Sequence, residues 1–562
     1  LLPIWEVGVV ASLYGISSWN INPEFFDEEL YQQIPTLNTV EKQLKVTINM
    51  LHTMGKTVGM DVIPHTDRYS QIVLVNPHFF EWLQRKDLKI TNHQANLHET
   101  VQTLILDFLE EKGSAIAINY PKNREDFFYD FDENSRLLAL FGEKTNYGGR
   151  LKRRNELIQY LYNNGFEPVP ATMAPPYRGL KVSDETAKVI DQDGRIWRDY
   201  EITKPQKMSR VFGPLTRFKL YERLDNNQNW AIDFNEPRPN VWKYISEKYS
   251  QIQSAYNFDF MRGDMSHVQM RPDGVPQKME EYYDVLKHIK NHIQTRIPYF
   301  GYFAETFLAP ANEMAYGDEI DHLEHSDAET TLGDLQSLPV DTAEFQQRFR
   351  SYLDILATRR VSPNFTIMTA DKDDPRFDKF YLNGNEARFF MSLFLNNMPS
   401  YMGLGFECRD IHIEAAPNEH YTKLYVFQID EGAKATKGKY IWGKNIELFQ
   451  RINRIRIYTE QVLPLLQHAK IQWHLFPDST GFRKTIAWSI QGESTYLFVV
   501  HLASKAPAIN IKIPSISIEN DLTLDFSTLD DVNPNDEILS SHHSCFHIHR
   551  LDQGECRVYK IN

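Results

Sequence analysis

Cysteine, basic charge and long apolar runs are all scarce in this chain. Three cysteines among 562 residues are too few for a disulfide framework, which favours a reducing, cytoplasmic location, although Cys545 and Cys556 could flank a hairpin and meet. No apolar stretch reaches the length of a transmembrane helix, and one of the richest, 496–502, is broken by His501. A net charge of −14 argues against nucleic acid, because phosphate binding needs a basic face. We therefore expect neither a nucleic-acid nor a membrane partner.

Glycine-rich nucleotide loops are also missing. No predicted strand end is followed by a dinucleotide fingerprint, and the stretch from Gly142 to Gly149 lacks the Gly-Lys-Ser/Thr ending of a phosphate-binding loop. The sequence therefore does not indicate a nucleotide-dependent enzyme of either kind.

Four short segments each join an apolar, strand-like run to an ionisable residue. They are 60–65 (MDVIPH), 258–264 (FDFMRGD), 302–306 (YFAET) and 364–371 (NFTIMTAD). A buried body with a polar tip is typical of a parallel strand whose carboxyl end opens onto an active site. Together they place one Arg, several carboxylates and a His at strand ends, which is suitable equipment for breaking a glycosidic bond.

Helical periodicity precedes several of these strands. Four helix-then-strand units are predicted: helix 40–54 with strand 57–63, helix 280–293 with strand 299–304, helix 345–356 with strand 365–368, and helix 387–395 with strand 400–404. Repeated units of this kind predict an α/β fold, a (β/α)₈ TIM barrel. About 200 residues separate the first two strands that carry polar tips, which predicts a large inserted domain after the third barrel strand. Alternating strands beyond residue 471 predict a C-terminal β-sandwich.

These patterns give a domain assignment. The barrel comprises 1–70 and 256–465, the inserted domain B comprises 71–255, and the β-sandwich comprises 466–562. The first barrel strand is expected to lie before residue 1, because the opening residues resemble the end of a second strand. The chain would then continue N-terminally.

Two carboxylates at strand ends suit a retaining glycosidase, which needs one nucleophile and one acid/base. Asp264 suits the nucleophile, since Arg262 two residues earlier points to the same side and would keep it ionised. Glu305 ends an apolar run, where desolvation raises a carboxyl pKa toward that of a general acid. Taken singly, either residue could equally be a structural ion-pair partner.

Almost the whole chain resembles the α-amylase superfamily, glycoside hydrolase family 13. Its four signatures are matched in order by 61–65 (DVIPH), 260–264 (FMRGD), 304–305 (AE) and, poorly, 369–371 (TAD), with support from 18–23, 233–237 and 401–407. The resemblance implies a retaining enzyme acting on an α-glucan or maltooligosaccharide, with no cofactor required.

The resemblance also implies residue roles. Asp264 would be the nucleophile, Glu305 the acid/base, and Asp371 the residue that grips the sugar hydroxyls in the transition state. The substrate-binding residues would be Asp61, His65, Arg262 and His267.

The chain departs from the family pattern at two signatures. Pro64 occupies the place of an Asn that commonly helps to bind calcium, which argues against a structural calcium ion, and no other metal is expected. The fourth signature lacks a sugar-binding His. Asp373 and Asp374 follow Asp371 closely, so which of the three is the third carboxylate stays open, with Asp371 favoured.

Two alternative functions remain open. Loss of that His, together with the segments 304–310 and 445–456, resembles maltosyltransferases that use maltose 1-phosphate, although Met265 replaces the Asn expected beside the nucleophile. The other alternative is a non-catalytic α-glucan-binding protein that kept the barrel and lost turnover. Linkage, chain-length preference, hydrolysis versus transfer and oligomeric state are not indicated by the sequence.

Overall fold

The computed structural model describes most of the chain. The described residues are 1–562 except 2, 9–12, 87–88, 172–179, 183–187, 191–195, 199, 203–214, 228–230, 267–270, 272–273, 309–317, 336–337, 369–383, 396–397, 404–405, 408–426, 430–439, 443–445, 467–469, 492–494, 517, 530–531 and 562. Four residues named above, His267, Asp371, Asp373 and Asp374, therefore lie outside the described residues.

The chain divides into two compact units. The first comprises Leu1–Glu305 and Ala309–Ala328, and the second comprises Thr306–Leu308 and Glu329–Asn562. The three-domain assignment made from the sequence stays a prediction.

The first unit combines helices with short strands. Its helices are α1 (Glu28–Gln33), α2 (Val40–Thr53), α3 (Gln71–Val75), α4 (Leu97–Lys112), α5 (Glu133–Phe141), α6 (Tyr147–Asn163), α7 (Pro239–Tyr256), α8 (Val285–Gln294) and α9 (Glu319–His325). Its strands are β1 (Trp5–Val7), β2 (Ile16–Ile21), β3 (Gly59–Val62), β4 (His65–Asp67), β5 (Trp82–Lys86), β6 (Lys89–Asn92), β7 (Phe166–Pro168), β8 (Leu180–Val182), β9 (Lys188–Ile190), β10 (Ile196–Arg198), β11 (Tyr200–Ile202), β12 (Leu215–Arg217), β13 (Tyr221–Arg223), β14 (Ile232–Pro237), β15 (Phe260–Gly263) and β16 (Gly301–Ala304).

Three parallel strands form the centre of this unit. Strand β15 pairs with β3 on one side and with β16 on the other, so that Asp61, Arg262 and Phe303 lie in one row across the strands. The next row is Val62, Gly263 and Ala304, and all three are buried. Because the strands are parallel and in register, their carboxyl ends meet at one edge.

Side chains from neighbouring segments fix this register at both ends. At the start of β15, the Asp259 carboxylate accepts from the backbone N–H of Val58, 2.7 Å away, just before β3. At the opposite end, the buried Tyr249 hydroxyl of α7 accepts from the Ile63 N–H at 2.9 Å and donates to the Ile63 carbonyl at 3.0 Å. The loop that leaves β3 is therefore tied to α7 close to the predicted site.

The second unit begins with helices and parallel strand pairs and continues into antiparallel sheets. Its helices are α10 (Ala343–Thr358), α11 (Asn385–Phe394) and α12 (Ile446–Leu466). Its strands are β17 (Thr330–Thr331), β18 (Ser362–Pro363), β19 (Phe365–Met368), β20 (Ser400–Gly403), β21 (Phe406–Glu407), β22 (Phe427–Ile429), β23 (Tyr440–Trp442), β24 (Lys470–Leu475), β25 (Thr485–Gln491), β26 (Thr495–His501), β27 (Ala508–Pro514), β28 (Leu522–Ser527), β29 (Ile538–Leu539), β30 (Cys545–Leu551) and β31 (Cys556–Ile561).

The C-terminal strands share one core. A six-stranded antiparallel sheet has the order β24-β25-β26-β31-β28-β29, and β27 pairs separately with β30. The core takes Leu497 and Tyr559 from the larger sheet and Phe546 and Ile548 from the smaller pair. This is the packing that the predicted sandwich requires. Cys545 and Cys556 are both free thiols, so the disulfide left open above does not form.

The α/β class, the parallel strands and the C-terminal antiparallel sheet are confirmed. Strand β16 follows α8, and β19 and β20 pair in parallel, as the helix-then-strand pattern predicts. The helix predicted over 280–293 begins instead at Val285, because the Asp284 side chain accepts from the Leu286 N–H and caps it. The closed eight-stranded barrel and the inserted domain stay predictions. Within the described residues, no helix combines the length and apolarity needed to cross a membrane.

Candidate active site

Two carboxylates lie at adjacent strand ends in the first unit. Asp264 directly follows β15 and Glu305 directly follows β16. The backbone ladder continues one step beyond each strand: Asp264 N–H donates to the Val62 carbonyl at 2.9 Å, and Glu305 N–H donates to the Gly263 carbonyl at 3.0 Å. Both residues are therefore held by the sheet, and a site built on strand ends is more rigid than one on a loop.

Arg262 joins the carboxylates of the two flanking strands. Its Nη1 lies 3.1 Å from Asp61 Oδ2, and its Nη2 lies 2.6 Å from Glu305 Oε1. The prediction that Arg262 holds Asp264 is wrong: its ion pairs are with Asp61 and Glu305. The reason is the register, since Asp61 sits directly opposite Arg262 across the parallel pair, whereas Asp264 is two residues further along the same strand.

Glu305 is held at both carboxylate oxygens. Oε1 pairs with Arg262, and Oε2 accepts from the backbone N–H of Met265 at 3.0 Å. Met265 has a φ of 49°, in the left-handed region that non-glycine residues seldom adopt. This conformation turns the Met265 N–H toward Glu305. A carboxylate that accepts from a guanidinium and an amide is in its ionised form.

The surroundings of Asp264 favour its protonated form instead. Burial raises its pKa well above the ordinary value of 3.8, and the charge and hydrogen bond of the neighbouring Glu305 raise the pKa further, against the lowering effect of Arg262. Two closely interacting carboxyl groups titrate as a pair that shares one proton. The raised pKa favours that proton on Asp264 in the free site, the reverse of the distribution expected from the sequence.

Asp61 and His65 complete the cluster. Burial raises the pKa of Asp61, although Arg262 opposes the shift. Burial, with the nearby charge of Arg217, lowers the pKa of His65 to about 3, so its imidazole is neutral at physiological pH. Its Nε2 lies 3.7 Å from Asp264 Oδ2, which is a contact between a neutral ring and a carboxyl group, not an ion pair.

Tyr14 is a site residue that the sequence did not indicate. Its hydroxyl donates to Asp61 Oδ2 at 3.2 Å and accepts from Arg262 Nη1 at 3.3 Å. The Arg262 guanidinium carbon lies 5.9 Å from the centre of the Tyr14 ring. Burial raises the pKa of Tyr14 well above 10, so the hydroxyl keeps its proton. Its position more than 40 residues before the first motif left no spacing signal.

The structure thus brings together Asp61, His65, Arg262, Asp264 and Glu305. The predicted roles of His267 and Asp371 fall outside the described residues and stay predictions. Within the part of the chain that the structure describes, no three His, Cys, Asp or Glu side chains converge where a metal ion could bind.

Comparison with known proteins shows the fold. The chain is similar to trehalose-6-phosphate hydrolase from Bacillus licheniformis, with a TM-score of 0.51 and 11% identity over 100% of this chain and 91% of that one. A mutant of the same hydrolase in complex with PNG gives 0.51 and 10% over the same shares. The α-amylase from Geobacillus thermoleovorans complexed with acarbose gives 0.48 and 11%, covering 100% and 87%.

No protein-family model matches the chain, and no curated protein matches its sequence. The chain shares the fold of that hydrolase, and membership of the α-amylase superfamily stays a hypothesis. The resemblance to maltose 1-phosphate transferases stays a hypothesis.

Proposed function

We propose that the chain is a retaining enzyme that cleaves or transfers α-glucosidic bonds through a covalent glycosyl-aspartate at Asp264. The observation that carries the proposal is the position of Asp264 and Glu305 at adjacent ends of β15 and β16, where the charge of Glu305 raises the pKa of Asp264, with the Arg262 cation on Glu305. Glycosidases use two carboxyl groups that flank the scissile bond, and retaining enzymes hold them at the shorter separation. The α-amylase-type fold places such a pair at the carboxyl ends of parallel strands.

The proton must move before the first chemical step. In the free site it belongs on Asp264, whereas nucleophilic attack needs the Asp264 carboxylate and a protonated Glu305. We propose that substrate entry sets the pair at the roughly 5–5.5 Å of retaining enzymes and that the proton passes from Asp264 to Glu305 in the same event. One carboxylic acid and one carboxylate exist before and after the transfer.

Double displacement then follows. Asp264 attacks the anomeric carbon while Glu305 gives its proton to the departing glycosidic oxygen. Glu305, now a carboxylate, takes a proton from the acceptor that cleaves the glycosyl-aspartate. The acceptor is water in a hydrolase and a sugar hydroxyl in a transferase. Asp371 remains the proposed stabiliser of the oxocarbenium-like transition state, on the motif resemblance alone, and the mechanism requires no cofactor.

The test is a time course of product release from a substrate panel. The panel contains maltooligosaccharides, soluble starch, α-glucosyl fluoride, maltose 1-phosphate and trehalose 6-phosphate, the last because of the fold shared with a trehalose-6-phosphate hydrolase. Asp264→Asn should abolish turnover, whereas the exposed Glu281 supplies a matched control, Glu281→Gln, that should keep it. The ratio of hydrolysed to longer products separates hydrolysis from transfer.

A trapping experiment assigns the two roles. A 5-fluoro glucosyl fluoride should label Asp264, detected by mass spectrometry of its peptide, because the fluorine slows breakdown of the covalent intermediate. Azide should rescue the alanine variant of the nucleophile with inversion and that of the acid/base with retention. Label on Glu305, or the reverse pattern of products, would contradict the assignment.

The other functions appear as results of the same panel. Phosphate release only from maltose 1-phosphate with glucan present would favour the maltosyltransferase. Glucan binding without turnover on any substrate would favour the non-catalytic protein and would refute the proposal.

A further inference from the structure

A buried serine lies between the two carboxylates of the site. Ser266 follows Asp264 by two residues and is only 2% exposed. Its Oγ donates to the Gly263 carbonyl at 2.8 Å and accepts from the Tyr302 hydroxyl at 2.9 Å. The same Oγ also accepts from the backbone N–H of Glu305 at 3.2 Å. One hydroxyl therefore links the end of β15 to the end of β16.

The Ser266 backbone also forms a hydrogen bond with Glu305. Its N–H donates to the Glu305 carbonyl at 3.2 Å. Both backbone groups of Glu305 thus contact Ser266, while the preceding residue, Met265, donates its N–H to the Glu305 carboxylate. The turn 264–266 encloses the main chain and one side-chain oxygen of Glu305.

Tyr302 fixes the serine from the neighbouring strand. Its ring lies directly against Gly263, where an added Cβ would meet Tyr302 Cε2 at 2.6 Å. Glycine at this position therefore makes room for the ring, and the ring carries the hydroxyl across β15 to Ser266. Tyr302 is 1% exposed, so water does not compete for this hydrogen bond.

The turn also maintains an unfavourable backbone conformation. Met265, between Asp264 and Ser266, has its φ in the left-handed region, which costs free energy and persists only when the surroundings enforce it. The hydrogen bonds of Ser266 to Gly263, Tyr302 and Glu305 supply that enforcement. Such strain commonly lies at functional sites, where it orients reacting groups.

We infer that Ser266, braced by Tyr302, is a positioning residue that sets the distance and angle between Glu305 and Asp264. The inference rests on the proposed function and adds to it, since neither residue touches the substrate in the mechanism above. Positioning matters because a displacement of about 1 Å can cost about 100-fold in rate. The effect should appear in the step that depends on Glu305 as proton donor.

The test compares two leaving groups. Departure of fluoride from a glycosyl fluoride needs little protonation, whereas a sugar alkoxide needs a well-placed acid. For Ser266→Ala, kcat/KM on the glucan should fall about 10- to 100-fold, while kcat/KM on the matching glycosyl fluoride should fall less than about 3-fold. Tyr302→Phe keeps the ring over Gly263 and removes the hydroxyl. It should show the same split, meaning a larger loss of kcat/KM on the glucan than on the glycosyl fluoride, but a smaller one.

Two reference variants make the test decisive. Glu305→Gln should show the largest split between the substrates, which checks the proposed function itself. Ser246→Ala removes another buried hydroxyl of the same unit, bonded to His288, and should show no split. Equal losses on both substrates for Ser266→Ala, or no loss while Glu305→Gln shows a split, would overturn the inference.

The remaining outcomes are also assigned. If Ser266→Ala does not fold, Tyr302→Phe carries the comparison, and the absence of a split in that variant overturns the inference. If the wild-type protein turns over neither substrate, the proposed function fails and the inference fails with it.

Discussion

Replacing Asp264 by asparagine should stabilise the free protein while abolishing turnover. Asp264 is buried, and burial next to the Glu305 carboxylate raises its pKa well above 3.8. The neighbouring His65 is neutral, so it does not offset the charge. Between the unfolded pKa of 3.8 and the raised folded pKa, folding therefore requires proton uptake by Asp264. An asparagine removes that requirement, and its amide can still donate to Glu305.

The size of the effect follows from proton linkage. A group with a raised folded pKa loses stability as the pH rises above its unfolded pKa, by about 1.4 kcal/mol per pH unit, until the folded pKa is reached. The advantage of Asp264→Asn over wild type should therefore be near zero below pH 3.8 and should grow with pH. Each pH unit between the unfolded and the folded pKa should add about 1.4 kcal/mol, which for a chain of 562 residues corresponds to about 1 °C in Tm.

Thermal melting followed by circular dichroism at several pH values provides the measurement. Asp259→Asn is the matched control at the opposite end of β15: Asp259 pairs with His52 and accepts from Val58 N–H, so its replacement should lower Tm. Glu305→Gln should also lower Tm, because Glu305 pairs with Arg262. A difference between Asp264→Asn and wild type that does not change with pH would refute the reasoning.

Three further outcomes are expected. Arg262→Met should cost about 3–5 kcal/mol in unfolding free energy, because it leaves the buried Asp61 and the partly buried Glu305 without their cation; a loss below about 1 kcal/mol would contradict the ion pairs. The pH profiles of kcat/KM for wild type and His65→Asn should have the same limbs between pH 5 and 8, because the pKa of His65 lies at about 3; a limb that disappears in the variant would be inconsistent with that. Trp488→Ala should cost about 3–5 kcal/mol in denaturant melts, since this fully buried ring also donates to the Phe394 carbonyl at 3.0 Å, and Trp488→Phe should cost less.

Local sequence patterns located several helices and strands closely. The strand predicted over 365–368 is found at Phe365–Met368, and the helix predicted over 40–54 is found at Val40–Thr53. The error at the start of α8 came from counting apolar residues without weighting Asp284, whose position before Val285 is an ordinary capping signal. Closure of the sheet is a long-range property, and periodicity within one segment carries no information on it.

The contacts between the site residues were less predictable from the sequence than the identity of those residues. Asp61, Arg262, Asp264 and Glu305 could be named because each sits at or beside the end of an apolar strand. Tyr14 could not, because it reaches Asp61 only through the fold. The partner of Arg262 was also missed, since spacing along one strand favoured Asp264 while the cross-strand row of β3 and β15 decides the contact.

The location of the proton follows from that same cross-strand row. Had Arg262 paired with Asp264, the aspartate would be the ionised member of the pair and ready to attack. With Arg262 on Asp61 and Glu305, the ion pair favours the charge on the glutamate, and the raised pKa of Asp264 favours the proton on the aspartate. The proposed reaction then needs an event that lets the proton cross to Glu305. Substrate entry is the event available, so the reactive charge distribution is expected to form only with a sugar bound.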